Sequence, residues 1–320
     1  MQIIGEQVET LVLSLSFWNP GEKLESITKA GEGNMNAVYR VKTNQRSIIL
    51  KRSFPYVQKF PQIPAPIERI DTEYQFLKLV SQNPHIQSYS PQVLNYFKEE
   101  HILILEDFGE GSDYSFLYKE NNKLSPKEAK DLIKYLNYLH KIEAPNFPKN
   151  KGMRELNHEH IFNFPFNPEN GFDLDQVLPG LQDLSISYKQ DEALKSKVHS
   201  LGERYLSQGD TLLHGDYYPG SWLKSSQGTK VIDPEFGFYG DREFDLGIFM
   251  AHLIFGGNTA EEIQNIFKGY VHDYDVNLQK QYAGVELLRR LIGIAQLPLD
   301  FDLEKRKKLL EMGKSMILGG

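Results

Sequence analysis

The sequence predicts an α+β chain in two lobes, a small strand-rich N-lobe over residues 1–108 and a larger, mostly helical C-lobe over 109–320. Three observations predict it. Alternating apolar and polar residues with short polar turns fill most of the first third. Helical periodicity dominates the remaining two thirds. A length of 320 residues suggests about two domains.

The totals narrow the function classes. With 40% hydrophobic and 25% charged residues, the composition is that of an ordinary globular protein with material for a substantial core. A formal charge of −7 argues against a general nucleic-acid surface. It also means that an anionic cosubstrate needs a local basic pocket or a metal. There are no cysteines, which removes disulfides, thiolate metal sites and cysteine nucleophiles together. The apolar run LVLSLSF (11–17) comes after Glu6 and Glu9 instead of basic residues, so it makes a poor signal peptide. No run approaches the length of a membrane span. The expectation is a cytoplasmic protein with no membrane partner, no internal repeat and no low-complexity tract.

Residues 5–18 read as a short amphipathic helix ended by Asn19-Pro20-Gly21. In 24–53, AVYRV and SIILK alternate, so the stretch reads strand, loop GEGNMN (31–36), strand, turn KTNQRS (42–47), strand. Gly31 and Gly33 permit close backbone approach in this small polar loop, which also carries Asn34 and Asn36. Such a loop can fold over phosphates and donate backbone N–H groups, although it also suits a plain hairpin. Lys51 ends the third strand. A lysine there is ordinarily solvated; its functional reading is a cation for the α- and β-phosphates, held by a glutamate of the helix at 68–82. Glu73 is the preferred partner and Glu68 the alternative. PQVLNYFKEEHILILEDFGEG (91–111) reads as two antiparallel strands around a Lys98–His101 turn. The hinge EDFGEG comes next, where an adenine would meet backbone groups near Glu106 and Phe108.

In the second lobe, Ser125, Pro126 and Glu128 form a capping box ahead of Ala129, Leu132, Ile133, Leu136 and Leu139 on one helical face. Residues 142–170 are rich in Pro and Asn, too long for a plain connector, and are a candidate cover for a site. His158 and His160 alternate, but no third ligand joins them at a metal-binding spacing. A charged amphipathic helix at 190–207 leads into LLHGD.

The chemistry concentrates in 211–247. HGD (214–216) and DPE (233–235) are separated by the turn SSQG (225–228) and the strand KVID (230–233). A strand–turn–strand of this length returns on itself, so Asp216 and Asp233 are expected in one small volume. Two close carboxylates repel unless a cation such as Mg²⁺ lies between them. Asp216 is placed to take a proton from a substrate hydroxyl, and Asp233 to hold the metal. Glu235, two residues on along an extended chain, points to the same side and shares the ion. Ser221 supplies a neutral oxygen. This is the constellation of a phosphoryl-transfer site; either motif alone would be only a loop with acidic caps. Asp245 reads as the N-cap of the helix LGIFMAHLIF. In a further helix, GVELLRRLIGIAQL (284–297), Arg289 and Arg290 diverge by about a quarter turn or more. They are therefore not expected to do the same job: one faces a substrate phosphate or hydroxyl and the other pairs with an acid. The plainer alternative is an intrahelical pair with Glu286.

Together GEGNMN (31–36), LKRSFPYV (50–57), HGDYYPGS (214–221), VIDPEFGFYGDREFDLG (231–247) and RRLIGIA (289–295) resemble the protein-kinase-like fold of the aminoglycoside phosphotransferase and choline kinase superfamily. Within it the chain most resembles the 5-methylthioribose kinases. Ser221, where most relatives carry Asn, and the DPE triplet are the more specific signs. The resemblance covers most of the chain. It implies ATP-dependent phosphorylation of the anomeric hydroxyl of methylthioribose in methionine salvage, with ATP and Mg²⁺ as cofactors. It implies that Asp216 is the catalytic carboxylate, Asp233 and Glu235 the Mg²⁺ ligands, Lys51 the phosphate-binding lysine and Arg289–Arg290 the sugar contact. It also implies a small-molecule partner and a homodimer. The chain departs from the family pattern HGDLHTGS at Tyr217 and Tyr218, and its 256–283 region is shorter, both near the acceptor end. The rival readings are a kinase for another alcohol (an aminoglycoside, another sugar or an amino alcohol) and a pseudokinase. The pseudokinase would be marked by loss of Lys51, Asp216 or Asp233, and all three are present.

Overall fold

The computed structural model describes residues 6–31, 33–119 and 122–319. The chain falls into two compact units, one of Met1–Ser112 with Lys224–Phe236 and the other of Asp113–Leu223 with Gly237–Gly320. The first unit thus takes in a short stretch from far along the chain, the one carrying DPE.

The first unit opens with α1 (Glu6–Ser14), which ends four residues before the expected 18, while residue 5 of that expectation lies outside the described residues. The strands β1 (Leu24–Lys29), β2 (Ala37–Thr43) and β3 (Ser47–Arg52) come next, then the small hairpin β4 (Tyr56–Val57) and β5 (Phe60–Pro64). Helix α2 (Arg69–Ser81), β6 (Val93–Phe97) and β7 (Ile102–Glu106) complete it. Five strands form an antiparallel sheet in the order β1-β2-β3-β7-β6. The expected strands and turns and the expected helix at 68–82 are present within a residue or two.

Strand alternation divides the core of this unit between the two faces of the sheet. Ile48, Leu50, Ile102 and Ile104 pack with Val12 of α1 and with Leu15 just past its end. Leu103 and Leu105 pack with Ile70 and Leu77 of α2 on the opposite face. Lys51 is out of phase with Leu50 and pairs across the sheet with Leu103. Its side chain is therefore directed to the α2 face.

The second unit is built on α3 (Pro126–Leu139), α4 (Lys151–His158), α5 (Leu181–Lys189), α6 (Glu192–Leu206), α7 (Arg242–Phe255), α8 (Ala260–Phe267), α9 (Val276–Ile292) and α10 (Leu303–Leu318). A two-stranded ribbon pairs 211–213 with 238–240. The Ser125–Glu128 capping box is present as expected. Within 142–170, residues 151–166 are helical: α4 runs into a π-helical turn (Glu159–Asn163) and a 3₁₀ turn (Phe164–Phe166), with Met153, Ile161, Phe162 and Phe166 buried. The helix carrying the arginines starts at Val276 and stops at Ile292, eight residues before the expected start and five before the expected end. Gly293, extended at its cap, ends it. Among the described residues no helix is long and apolar enough to cross a membrane.

Candidate active site

In the first unit, Lys51, Glu73, Asp233, Glu235, Arg69 and Asn36 form one network. Lys51 is 5% exposed, and its Nζ donates to Glu73 Oε1 at 2.6 Å and to Asp233 Oδ1. Glu73, not Glu68, is thus the partner. Burial opposes the ammonium charge, but Asp233, Glu73 and Glu235 outweigh it and hold the Lys51 pKa above its ordinary value. Burial likewise pushes the Glu73 carboxyl up, and Lys51 pulls it back. Asp233 lies at φ +62°, a region that Asp tolerates better than most residues, and its side chain keeps 41% of its exposure.

Glu235 corrects the extended-chain expectation. Pro234–Phe236 is a 3₁₀ turn, so Glu235 does not follow Asp233 outward. It is buried, where Oε2 accepts from Asn36 Nδ2 at 2.8 Å and lies 3.3 Å from Arg69 Nε. Burial raises its pKa against the pull of Arg69.

Arg69, fully buried, is the residue that sequence reasoning missed. Its Nε donates to Asn36 Oδ1 at 3.0 Å, and Nη2 donates to Met35 O at 2.7 Å. Nη1 donates to Phe54 O at 2.8 Å and Pro66 O at 2.7 Å. The signal was present in the spacing: Arg69 precedes Glu73 by four, so the two share a helix face.

The loop of Gly31, Gly33, Asn34 and Asn36 is thereby fixed from below. Glu32 lies outside the described residues. Asn34 O and Met35 O accept from Lys59 N and Gln58 N at 3.0 and 3.3 Å. Gly33 has φ +53°, and a Cβ there would meet Asn36 O at 2.5 Å, so only glycine fits. The side chain of Asn36 is engaged by Arg69 and Glu235, which ties the loop to α2 and to the DPE turn. At the end of β7, Glu106 Oε2 accepts from Gln92 N at 3.2 Å, and two residues on Phe108 is buried. Between them Asp107 accepts from Arg40 Nε at 2.8 Å and Nη2 at 3.0 Å, which ties this stretch to β2.

In the second unit, Asp216 sits at the end of the strand 211–213. Gly215 turns the chain at φ +82°. Asp245 is not the N-cap of α7. The helix begins at Arg242 behind Asp241, and Asp245 is wholly buried in its first turn. There its carboxylate accepts from the backbone N–H of His214 at 2.7 Å and of Gly215 at 3.0 Å. His140 Nε2 lies 3.3 Å from the same group. Ser221 Oγ donates to Asp216 O at 2.8 Å, which closes the turn after the motif.

Arg289 and Arg290 overturn the expectation of separate jobs. Nε of each donates to Glu286, Arg290 at 2.7 Å. Nη2 of each lies 3.8 Å from Asp216 Oδ1. Two long side chains, three and four residues beyond one carboxylate, can both curl back to it, so their divergence at Cα does not separate their tips.

Tyr217 and Tyr218 part company. Tyr217 is fully buried, its hydroxyl donates to Leu132 O at 2.9 Å, and its ring stacks on Tyr135. It belongs to the core. Tyr218 is half-buried, with the Arg290 guanidinium 4.7 Å above its ring centroid. His158 and His160 lie at α4 and the π-helical turn after it. Among the described residues no group of three or more His, Asp or Glu side chains is placed to hold a metal.

Comparison with known proteins bears on this arrangement. The family described as "Phosphotransferase enzyme family" (APH) matches residues 26–278. A methylthioribose kinase of Exiguobacterium sibiricum is 28% identical, over 98% of this chain and 91% of that protein. One from Bacillus cereus (strain B4264) is 26% identical, over 90% and 85%. Among solved structures, choline kinase LicA from Streptococcus pneumoniae superposes with a TM-score of 0.56 at 16% identity, covering 98% of this chain and 97% of that one. A spectinomycin phosphotransferase in complex with ADP and spectinomycin gives a TM-score of 0.55 at 15% identity, covering 99% and 98%. These structures share the expected fold, a strand-rich N-terminal part and a helical C-terminal part. With the match spanning most of its length, the chain belongs to the APH phosphotransferase enzyme family.

Proposed function

We propose that the protein is an ATP-dependent kinase that transfers the γ-phosphoryl group to a sugar hydroxyl, with 5-methylthioribose as the acceptor. The observation that carries the acceptor class is the pair of guanidiniums facing Asp216 Oδ1 at 3.8 Å. Two fixed positive charges beside the base repel a cationic acceptor such as choline or an aminoglycoside, and suit a neutral polyol. Similarity to methylthioribose kinases over nearly the whole chain supports the specific sugar.

In this reading the acceptor hydroxyl is oriented by Asp216, which takes its proton late in the transfer. Arg289 and Arg290 donate to the sugar side. Lys51, backed by Glu73, holds the nucleotide phosphates under the loop 31–36, and the backbone of 106–108 meets the adenine. Mg²⁺ fits Asp233, whose carboxylate is the accessible one, because the ion needs one or two carboxylates and completes its shell with water and phosphate oxygens. Once bound it would neutralise phosphate charge. Glu235 anchors this motif through Asn36 and Arg69, and Ser221 holds the Asp216 turn. Tyr218 is then the departure from the family pattern that bears on acceptor preference.

The test is ATP consumption with Mg²⁺ and, in parallel, methylthioribose, ribose, an aminoglycoside and choline, with Asp216→Ala as control. Turnover confined to methylthioribose supports the proposal. Turnover on the aminoglycoside or choline instead defeats the acceptor assignment. ATP binding without turnover on any acceptor points to a pseudokinase.

A further inference from the structure

Behind the two arginines lies a buried chain that the proposed mechanism does not use. Glu286 is 2% exposed. Its Oε1 accepts from Arg290 Nε at 2.7 Å, from Arg289 Nη2 at 3.2 Å and from His252 Nε2 at 2.9 Å. Its Oε2 accepts from Arg289 Nε. Because His252 Nε2 faces a carboxylate, it carries the proton, and Nδ1 is left as an acceptor. The Tyr118 hydroxyl fills it at 2.7 Å. Burial holds the imidazole pKa down to about 4, so the ring is neutral near pH 7. All the partners of this chain belong to the second unit, on the 3₁₀ turn Tyr114–Tyr118, α7 and α9.

The geometry holds both guanidiniums back from Asp216. Arg290 is held at Nε by Glu286, at Nη1 by Ala295 O at 3.3 Å, and on its face by Tyr218. Arg289 is held at Nε and Nη2 by Glu286. Both reach Asp216 Oδ1 only at 3.8 Å, outside direct hydrogen-bond range. Arginine and carboxylate left to themselves close into a short bidentate pair. Such a pair would occupy the oxygens that must orient the acceptor.

We propose that Glu286 is a positioning residue for phosphoryl transfer, holding Arg289 and Arg290 off Asp216 so that they do not take up the carboxylate needed by the acceptor hydroxyl, with His252 and Tyr118 fixing Glu286 in turn. This rests on the kinase reading above. It assigns Glu286 no contact with substrate; the effect passes through the arginines.

The experiment compares the full chain with its Glu286→Gln variant, using methylthioribose and Mg²⁺-ATP, and reads kcat, both KM values and thermal unfolding. Glutamine keeps the shape and loses the charge that competes with Asp216. The expected result is kcat lower by about a hundredfold in a folded variant, as for a small misplacement near the reacting atoms, with ATP KM within about twofold. A purely structural role would lower the unfolding temperature and leave kcat of the folded enzyme alone, which overturns the proposal. Should Glu286→Gln not fold, Tyr118→Phe removes one hydroxyl and no charge. A several-fold loss of kcat at unchanged ATP KM supports the proposal, and an unchanged kcat overturns it. A wild-type protein without turnover on any neutral sugar removes the kinase reading and this inference with it. An active wild type matched by equally active variants removes only the inference.

Discussion

Asn36 Nδ2 donates to Glu235 Oε2 at 2.8 Å across 199 residues of sequence. The bond ties the glycine-rich loop to the acidic motif within one unit, with Arg69 bridging both partners. Asn36→Ala is expected to cost about 1.5–3 kcal/mol, the range for a buried hydrogen bond to a charged group. It is also expected to weaken nucleotide binding by freeing the loop. Chemical denaturation and an ADP titration measure the two effects; an unaltered ADP affinity would separate the clamp from nucleotide binding.

Lys51 is held by two carboxylates, one on α2 and one in DPE. Lys51→Met leaves Glu73 buried without its cation, a loss of about 3–5 kcal/mol when one partner of a buried pair is removed. The expected outcome is lower stability together with a large rise in ATP KM. Adding Glu73→Gln to Lys51→Met should restore stability without restoring ATP binding. Unfolding curves and nucleotide calorimetry on both variants decide it.

Asp245 gathers the N–H groups of His214 and Gly215 immediately before Asp216. An Asn at 245 presents one oxygen to two donors and turns an NH₂ toward them. Asp245→Asn is expected to lower kcat by about tenfold to a hundredfold through displacement of Asp216, with ATP KM preserved. Steady-state kinetics at saturating ATP give the answer, and a kcat equal to wild type would remove Asp245 from the account.

His252 predicts a pH dependence of stability. Its folded pKa, held down by burial to about 4, lies below the unfolded value of 6.5. The unfolded chain therefore takes up the proton first. The contribution is fully present above pH 6.5 and is lost as pH falls toward 4, amounting to about 3 kcal/mol. Urea midpoints at about pH 7, 5.5 and 4.5 should fall less steeply in His252→Gln than in wild type. Parallel slopes would show that the imidazole does not titrate in this way.

Much of the first unit was legible because its information is local. Strand alternation, the polar turns and the Lys98–His101 hairpin follow from side-chain periodicity, and the same alternation that buries Leu50 directs Lys51 to the helix bearing Glu73. The Ser125 capping box was equally local. HGD and DPE stood out because short acidic motifs are visible in their residue types alone.

The amino-acid order by itself therefore determined the class of fold and the family, and it marked the candidate residues for chemistry. Tertiary structure alone decided where those residues are placed and what they pair with. It turned Glu235 inward where an extended chain would have sent it out. It drew Asp245 from a helix cap into the support of the Asp216 loop, and it brought Arg289 and Arg290 to one carboxylate. It also sent Tyr217 to the core and Tyr218 to the Arg290 guanidinium. The physical reason is common to the charged groups among these. A buried charge must find a partner, that partner often lies on another element, and no local pattern of the chain records which element packing will bring.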